Sequence, residues 1–239
     1  MDEFVKQSVF TTLFRLKIAV LIAEIGYICV NVYTGIAVFC MIPKATESEL
    51  TSFLSKMNIL SAVFGIIGFI FLSITVFMLL RLRVYDSGFK TAVIFGAVYL
   101  VIKVAGDIIA QSNLLVLKLI MLGGLVVFGI LYYKKYTKAM LGMIELQRYG
   151  VTKKWESFWD LIKRSYYSRL FATFIIFLNL INPSISAQNY YILTFFYVIV
   201  LSVVALIVDI NEARVLYETK DAYGLMLLPR NSRRESNKR

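Results

Sequence analysis

Long apolar runs, separated by short polar segments, dominate the chain and predict helices that cross a membrane. Each run is close to the roughly 20 residues that an α-helix needs to span the hydrocarbon core of a bilayer. We therefore expect an all-α fold, a polytopic integral membrane helical bundle with six transmembrane helices. The predicted spans are residues 18–42, 57–82, 91–110, 114–133, 170–186 and 190–210.

Two further segments, residues 3–14 and 153–167, show helical periodicity with one apolar and one polar face. In the second segment Trp155, Phe158 and Trp159 lie on the apolar face, while most of the basic residues lie off that face. Tryptophan opposite basic residues is typical of helices that lie at a membrane surface. We interpret both segments as interfacial helices and the three aromatic residues as interfacial anchors.

Short motifs predict where helices begin and end. Thr46 and Glu49 have the spacing of a capping box, so a helix should begin near Glu47. Gly88 should end the second helix, and the apolar stripe of the fourth helix should continue as far as Gly150.

The fifth span is interrupted by Asn179, Asn182 and Pro183. Broken helices form substrate sites in many transporters. The same Asn-Pro-Ser sequence is also an ordinary turn signal at a point where a loop is required. Both interpretations stay open at this stage.

The distribution of basic residues tests the span count. The chain has 26 lysine and arginine residues, and 22 of them fall in segments that six spans place on one side of the membrane. The opposite loops hold only Lys44 and Lys56. The positive-inside rule assigns the basic side to the cytoplasm. We therefore expect a protein of the cell membrane with its N-terminus and C-terminus both cytoplasmic.

The composition agrees with that class, since 59% of the residues are hydrophobic and only 17% are charged. We expect the net charge of +11 to serve topology and contact with anionic lipid headgroups, and we expect no nucleic acid partner. Residues 1–228 are predicted to form a single membrane domain, and residues 229–239 a disordered basic tail. Small residues at four-residue spacing favour close helix packing, either within the bundle or with a protein partner or a second copy.

Charged residues inside the predicted spans are candidates for function, because a charge in a bilayer is costly. Lys103 and Asp107 lie one helical turn apart on the third span, and Lys118 lies on the fourth, close to the connecting turn. The three define a candidate polar cluster around an outer cavity, where two cations and one carboxylate would favour an anion. The alternative is that Lys118 extends outward to the headgroups while Lys103 and Asp107 hold two helices together.

Two carboxylates lie nearer the cytoplasmic ends of their spans. Glu24 is in the first span and Asp209 closes the sixth. Their simplest partners are basic residues at the inner interface, among which are Arg15 and Lys17. A proton relay through Glu24 is the functional alternative.

Reactive motifs are missing from the sequence. It contains no histidine, which excludes a Ser-His-Asp triad and histidine-ligated zinc, and it has no Walker loop and no Cys-x-x-Cys. We therefore expect no metal site, no cofactor and no enzyme activity.

Three functional classes follow from these features. The one favoured by the sequence is a non-catalytic accessory, scaffold or regulatory component of the membrane. The alternative is a permease subunit of a transporter, because a surface helix before six spans resembles the permease subunits of ABC-type exporters in architecture alone. A membrane enzyme that processes lipid is the third class.

Overall fold

The computed structural model describes residues 2–41, 46–109, 115–147, 149–181 and 187–227, and these residues form helices and turns with no strand. The all-α class is thereby confirmed. The helices are α1 (Asp2–Met41), α2 (Glu47–Met78), α3 (Ser87–Ile109), α4 (Leu115–Leu141), α5 (Ile144–Gln147), α6 (Val151–Ile181) and α7 (Ala187–Leu227). A 3-10 turn, Leu79–Leu82, follows α2.

Consecutive long helices run antiparallel. α1 packs mainly against α2 and α7, α3 against α4, and α6 against both α4 and α7. We call the end of the bundle at which α1 begins and α7 ends the base. The base also holds the 3-10 turn, the start of α3, all of α5 and the start of α6.

Two of the helices are longer than the sequence predicts. The interfacial segment 3–14 and the span 18–42 lie in one continuous helix, α1, of 40 residues. Likewise, segment 153–167 continues into the fifth span as the single helix α6. Residues 15–17, which separate the two predicted segments, are helical as well, and Lys17 among them is 1% exposed and lies inside the bundle.

The capping-box prediction at the start of α2 is confirmed. The helix begins at Glu47, and both the backbone N–H and the hydroxyl of Thr46 donate to the Glu49 carboxylate, at 3.0 and 2.8 Å. The prediction that Gly88 ends the second helix is wrong. Gly88 lies in the first turn of α3, where its N–H donates to Oδ1 of Asp86 at 2.5 Å, so the aspartate caps the start of a new helix.

The chain reverses between α4 and α6 through the short helix α5. Gly150 has φ +68°, a left-handed conformation that favours glycine, and it directly precedes α6. The sequence predicts that the fourth helix continues as far as Gly150. In the structure α4 ends at Leu141, and α5 follows it as a separate short helix.

The base is filled by large side chains that are almost fully enclosed, and we call this region the basal core. Trp155 lies at its centre, in edge-on contact with Tyr136 and Phe158, and its indole N–H donates to Thr219 at 3.1 Å. The other enclosed side chains include Phe10, Leu13, Leu79, Leu82, Phe89, Met140, Leu146, Ile162, Leu216 and Tyr223.

The first turns of α1 are fixed to this core by Lys6. Its ammonium group forms a 2.8 Å ion pair with Glu145 of α5 and lies 4.3 Å from the centre of the Tyr85 ring. The hydrogen bond from Lys6 lowers the pKa of Glu145. One turn further along, Phe10 stacks on Tyr223 of α7 with ring centres 5.4 Å apart, and burial raises the pKa of that tyrosine.

Away from the base, the outer surface of the bundle is strongly apolar. Large aliphatic and aromatic side chains such as Phe39, Ile59, Ile66 and Val101 are more than half exposed. Two segments among the described residues are long and apolar enough to cross a membrane, Ser48–Leu82 with mean hydropathy 2.7 and Ser87–Gly106 with 1.7. Six spans are therefore not confirmed and stay a prediction, and the tail 229–239 lies outside the described residues.

Candidate functional site: a charged cavity within the bundle

A row of polar side chains follows one face of α1. Lys17, Glu24 and Asn31 are spaced by seven residues, two helical turns, so they point the same way. Tyr27 lies between the last two and faces the same space. Asn31 donates to Oγ of Ser61 at 3.1 Å, which links α1 to α2 at the end of this row that is farther from the base.

Lys17 is the centre of a buried ion triad. Its Nζ pairs with Oδ1 of Asp209 and, at 2.7 Å, with Oε2 of Glu212. The two acidic residues lie three apart on α7, so both reach the same ammonium group. The hydroxyl of Tyr133 on α4 also donates to Glu212, at 3.3 Å. The triad joins α1 to α7, and the bond from Tyr133 adds α4, around an ammonium group that is almost fully buried.

Glu24 lies two turns above Lys17 and meets the same aspartate. Its carboxyl group is within hydrogen-bonding range of the carboxyl group of Asp209. Its Oε2 atom is buried, and no donor among the described residues reaches it. Asp209 is thus shared between a cation on one side and a second carboxyl group on the other.

A cavity of about 1070 Å³ opens above the triad. Six helices line it, α1 to α4 together with α6 and α7, and Glu24 and Asp209 form part of its wall. Polar uncharged groups are supplied by Asn58, Ser61 and Ser202, among apolar side chains from α2 and α4. The volume is at the upper end of the range that holds small organic ligands.

Two cations complete the charged lining. Lys103 of α3 lies in the wall and acts electrostatically on Glu24. Arg169 of α6 also lines the cavity and acts on Asp209. Its guanidinium is 5.3 Å from the centre of the Tyr166 ring, and its Nε is buried without an acceptor among the described residues. We call Lys17, Glu24, Lys103, Arg169, Asp209 and Glu212 the charged cluster.

Tyr166 closes the wall between α6 and α4. Its hydroxyl lies directly against Gly129, at a point where a Cβ atom would overlap it, so only glycine lets the two helices approach there. The ring centres of Tyr133 and Tyr166 are 6.5 Å apart, and both residues line the cavity. Aromatic side chains thus separate the charged cluster from the basal core.

The candidate cluster at residues 103, 107 and 118 is only partly described. Lys103 faces the same cavity as Glu24 of α1 and acts electrostatically on that carboxyl group. The backbones of Asp107 and Lys118 belong to α3 and α4, but their side chains lie outside the described part of the structure. Asn182 and Pro183 also lie outside it, as does the side chain of Asn179.

The predicted interfacial anchors occupy different positions. Trp155 and Phe158 are enclosed in the basal core, where they contact protein on every side. Trp159 is half-buried, with the Lys163 ammonium 5.8 Å from its ring centre. An anchoring role in the membrane interface stays a prediction.

The sequence indicates some members of the charged cluster and misses others. Lys17 is among the partners expected for Asp209, and the structure pairs the two. Arg169 and Glu212 are missed, because each stands in a segment of dense charge next to a predicted span. Arg169 follows Ser165 and Tyr166 by about one helical turn, so it lies on the same face of α6 as these two residues. That spacing is the local feature from which its position could be predicted.

The arrangement does not suit a metal ion. No group of three or more acidic or cysteine residues arranged to hold one occurs among the described residues. The Lys17 ammonium occupies the space between Asp209 and Glu212, where a cation would otherwise sit. What the cluster does offer is a balanced set of three cations and three carboxyl groups beside a cavity.

Comparison of the chain with protein-family models, with curated proteins and with solved structures finds no match.

Proposed function

We propose that this chain is a six-span protein of the cell membrane that acts as a transport component, with the charged cavity as the binding site for a polar solute. The observation that carries this proposal is the position of the charged cluster. Glu24, Lys103, Arg169 and Asp209 line one cavity and come from four different helices. Charges inside an apolar bundle are costly and line solute pathways in many membrane proteins.

A purely structural role explains this arrangement less well. A scaffold needs helices that stick together, and apolar packing of small residues achieves that without buried charge. One buried atom of each of two charged groups, Nε of Arg169 and Oε2 of Glu24, has no hydrogen-bond partner among the described residues. Groups left unpaired beside a cavity of this size are available to a ligand.

The cavity wall favours an anionic solute. Lys17 is engaged by two carboxylates, whereas Lys103 and Arg169 have no ion pair within 4.0 Å among the described side chains. A carboxylate or phosphate group would meet the planar donor array of Arg169, which suits such oxyanions. The apolar part of the wall leaves room for the rest of an organic anion.

The six-span topology, with both termini in the cytoplasm, rests on the distribution of basic residues and on the exposed apolar surface away from the base. Ser52 is then extracellular and Glu156 cytoplasmic. In a variant without Cys29 and Cys40, a cysteine at position 52 should react with an impermeant thiol reagent on intact cells. A cysteine at position 156 should react only after permeabilisation, and the reverse pattern would contradict the topology.

Access of water to the cavity tests the transport proposal. In the same cysteine-free background, Ser202→Cys places a thiol in the cavity wall, and Val203→Cys places one on the outer apolar surface, 44% exposed. We expect a hydrophilic methanethiosulfonate reagent to modify position 202 in membranes and to leave position 203 unmodified. An unreactive cysteine at position 202 would contradict a solute pathway and return the accessory role to first place.

A permease of the ABC type would also need a cytoplasmic ATPase. Affinity purification of the full chain in mild detergent should then retain a stoichiometric nucleotide-binding subunit. If the purified chain binds solute without such a subunit, we would instead conclude that it is a self-contained transporter.

A further inference from the structure

Glu24 of α1 and Asp209 of α7 lie in the wall of the same cavity, and their two carboxyl groups are in hydrogen-bonding contact. An ionised carboxylate has only acceptor oxygens, so two of them cannot form a hydrogen bond. One proton between them removes the conflict, because a protonated Glu24 donates to Asp209. The same proton gives the Glu24 carboxyl a role at a buried position where no donor from another described residue reaches Oε2.

The surroundings decide which of the two holds the proton. Asp209 is 7% exposed and forms an ion pair with Lys17, and Arg169 of α6 lines the same cavity, so the negative charge belongs on Asp209. Glu24 has no ion pair among the described residues and faces the cavity, whose wall also holds Lys103 of α3. From α4, the tyrosines Tyr132 and Tyr133 face this space. The wall contributed by α2 holds no charged residue among those described there.

The proton changes the charge that the cavity presents to a solute. With Glu24 protonated, three cations of the charged cluster face two carboxylates, and the excess positive charge lies on Lys103 and Arg169. When Glu24 is ionised, the cluster is electrically neutral. Proton binding at Glu24 therefore favours an anion in the cavity, and an anion in the cavity favours the proton by the same factor.

We propose that Glu24 and Asp209 form a proton-sharing carboxyl pair that couples uptake of a proton to binding of an organic or inorganic anion in the cavity. This inference rests on the proposed function. On release, the O–H bond of Glu24 breaks, its electron pair stays on the carboxylate and the proton passes to water in the cavity. On loading, a hydronium ion in the cavity transfers its proton to the same oxygen and is left as water, and the anion binds at Arg169 and Lys103.

The charge of the cavity can be measured with the cysteine at position 202. Two thiol reagents of similar size are compared, the anionic sulfonatoethyl and the cationic trimethylammonioethyl methanethiosulfonate. The ratio of their rates is independent of how the thiol itself ionises. We expect the anionic-to-cationic ratio to fall roughly tenfold as pH rises from about 5 to about 10, the effect of one charge at about 10 Å in a partly aqueous site.

Glu24→Gln is the decisive variant, because its amide is neutral and can still donate to Asp209. We expect the ratio in this variant to stay high and not to change with pH. Glu156→Gln removes an exposed carboxylate of α6 and should behave as the parent does. A parent ratio that does not depend on pH, or one that depends on pH equally in Glu24→Gln, would overturn the proposal.

A second measurement does not need access to the cavity, so it separates this inference from the proposed function. Infrared spectra of the purified full chain at neutral pH should contain the C=O stretch of a protonated carboxylic acid. That band should shift in D₂O, disappear in Glu24→Gln and persist in Glu156→Gln. If position 202 is unreactive but the band is present, the proton-sharing pair exists without a solute pathway. If the band is absent from the parent, the pair does not share a proton.

Discussion

At the base of the bundle, large aromatic and aliphatic side chains are almost fully enclosed by neighbouring helices. In the upper half, comprising residues 28–41 of α1, 48–69 of α2, 101–109 of α3 and 115–125 of α4, no side chain that the structure describes is buried. The apolar residues of the upper half are as large as those of the base. The base is thus built like the core of a soluble protein, and the upper half presents its apolar groups outward.

The difference shows what each region uses for stability. Burial away from water stabilises the basal core, and each enclosed large side chain contributes about 2 kcal/mol or more. In a bilayer the upper half gains nothing from moving an apolar side chain between lipid and protein, so packing, small residues and polar contacts such as Asn31 to Ser61 must hold it. The charged cluster lies where the two regions meet.

The largest expected effect comes from truncating the centre of the basal core. Trp155→Ala removes a fully enclosed indole and its hydrogen bond to Thr219, and we expect it to lower the free energy of unfolding by about 4 kcal/mol. Ile70→Ala, a change at a half-exposed site on α2, should cost less than about 1 kcal/mol because lipid replaces the lost contacts. Denaturation in mixed detergent micelles measures both, and equal losses would remove the distinction between the two regions.

The second effect concerns the junction between them. Lys17→Met leaves Asp209 and Glu212 buried without their cation, and we expect a loss of about 3 kcal/mol. The triple variant Lys17→Met, Asp209→Asn, Glu212→Gln should recover much of that loss, because it no longer buries unpaired charge. Arg214→Met is the control, since the Arg214 side chain is itself largely exposed and lies 3.4 Å from Glu218, and it should change little. A triple variant no more stable than the single one would mean that the lysine acts through its shape and not its charge.

The smallest effect tests the attachment of α1 at the base. Because the folded-state pKa of Glu145 is lowered by Lys6, the ion pair adds stability above the unfolded-state pKa, near 4. That stability is lost as pH falls through the lower folded-state pKa. Glu145→Gln should therefore unfold at a slightly lower temperature than the parent at neutral pH, and the two should converge in acid. A difference that persists or grows in acid would contradict this assignment.

Much of the secondary structure is predictable from local sequence, but the site is not. The Thr46–Glu49 motif locates the start of α2 because a helix cap involves only neighbouring residues. Gly88 is misassigned because the carboxylate of Asp86, which caps α3, decides the boundary instead.

The members of the charged cluster depend on contacts between distant parts of the chain. Lys17 and Asp209 are 192 residues apart, so the local sequence can place Lys17 on the buried face of α1 but cannot show which carboxylate it meets. The surroundings of Trp155 also depend on distant parts of the chain. An apolar face opposite basic residues is equally suited to lipid and to a packed core, and only the position of α4 and α7 selects the core.

The central claim is that the charged cavity is a solute site reached in turn from the two sides of a membrane. The most direct measurement is the reactivity of the cysteine at position 202 in right-side-out and in inside-out vesicles, with position 203 as the control in both. We predict that an impermeant reagent modifies position 202 from each side and that a large organic anion slows both reactions. Reaction from neither side, or from one side under every condition, would contradict transport and indicate a closed structural cavity.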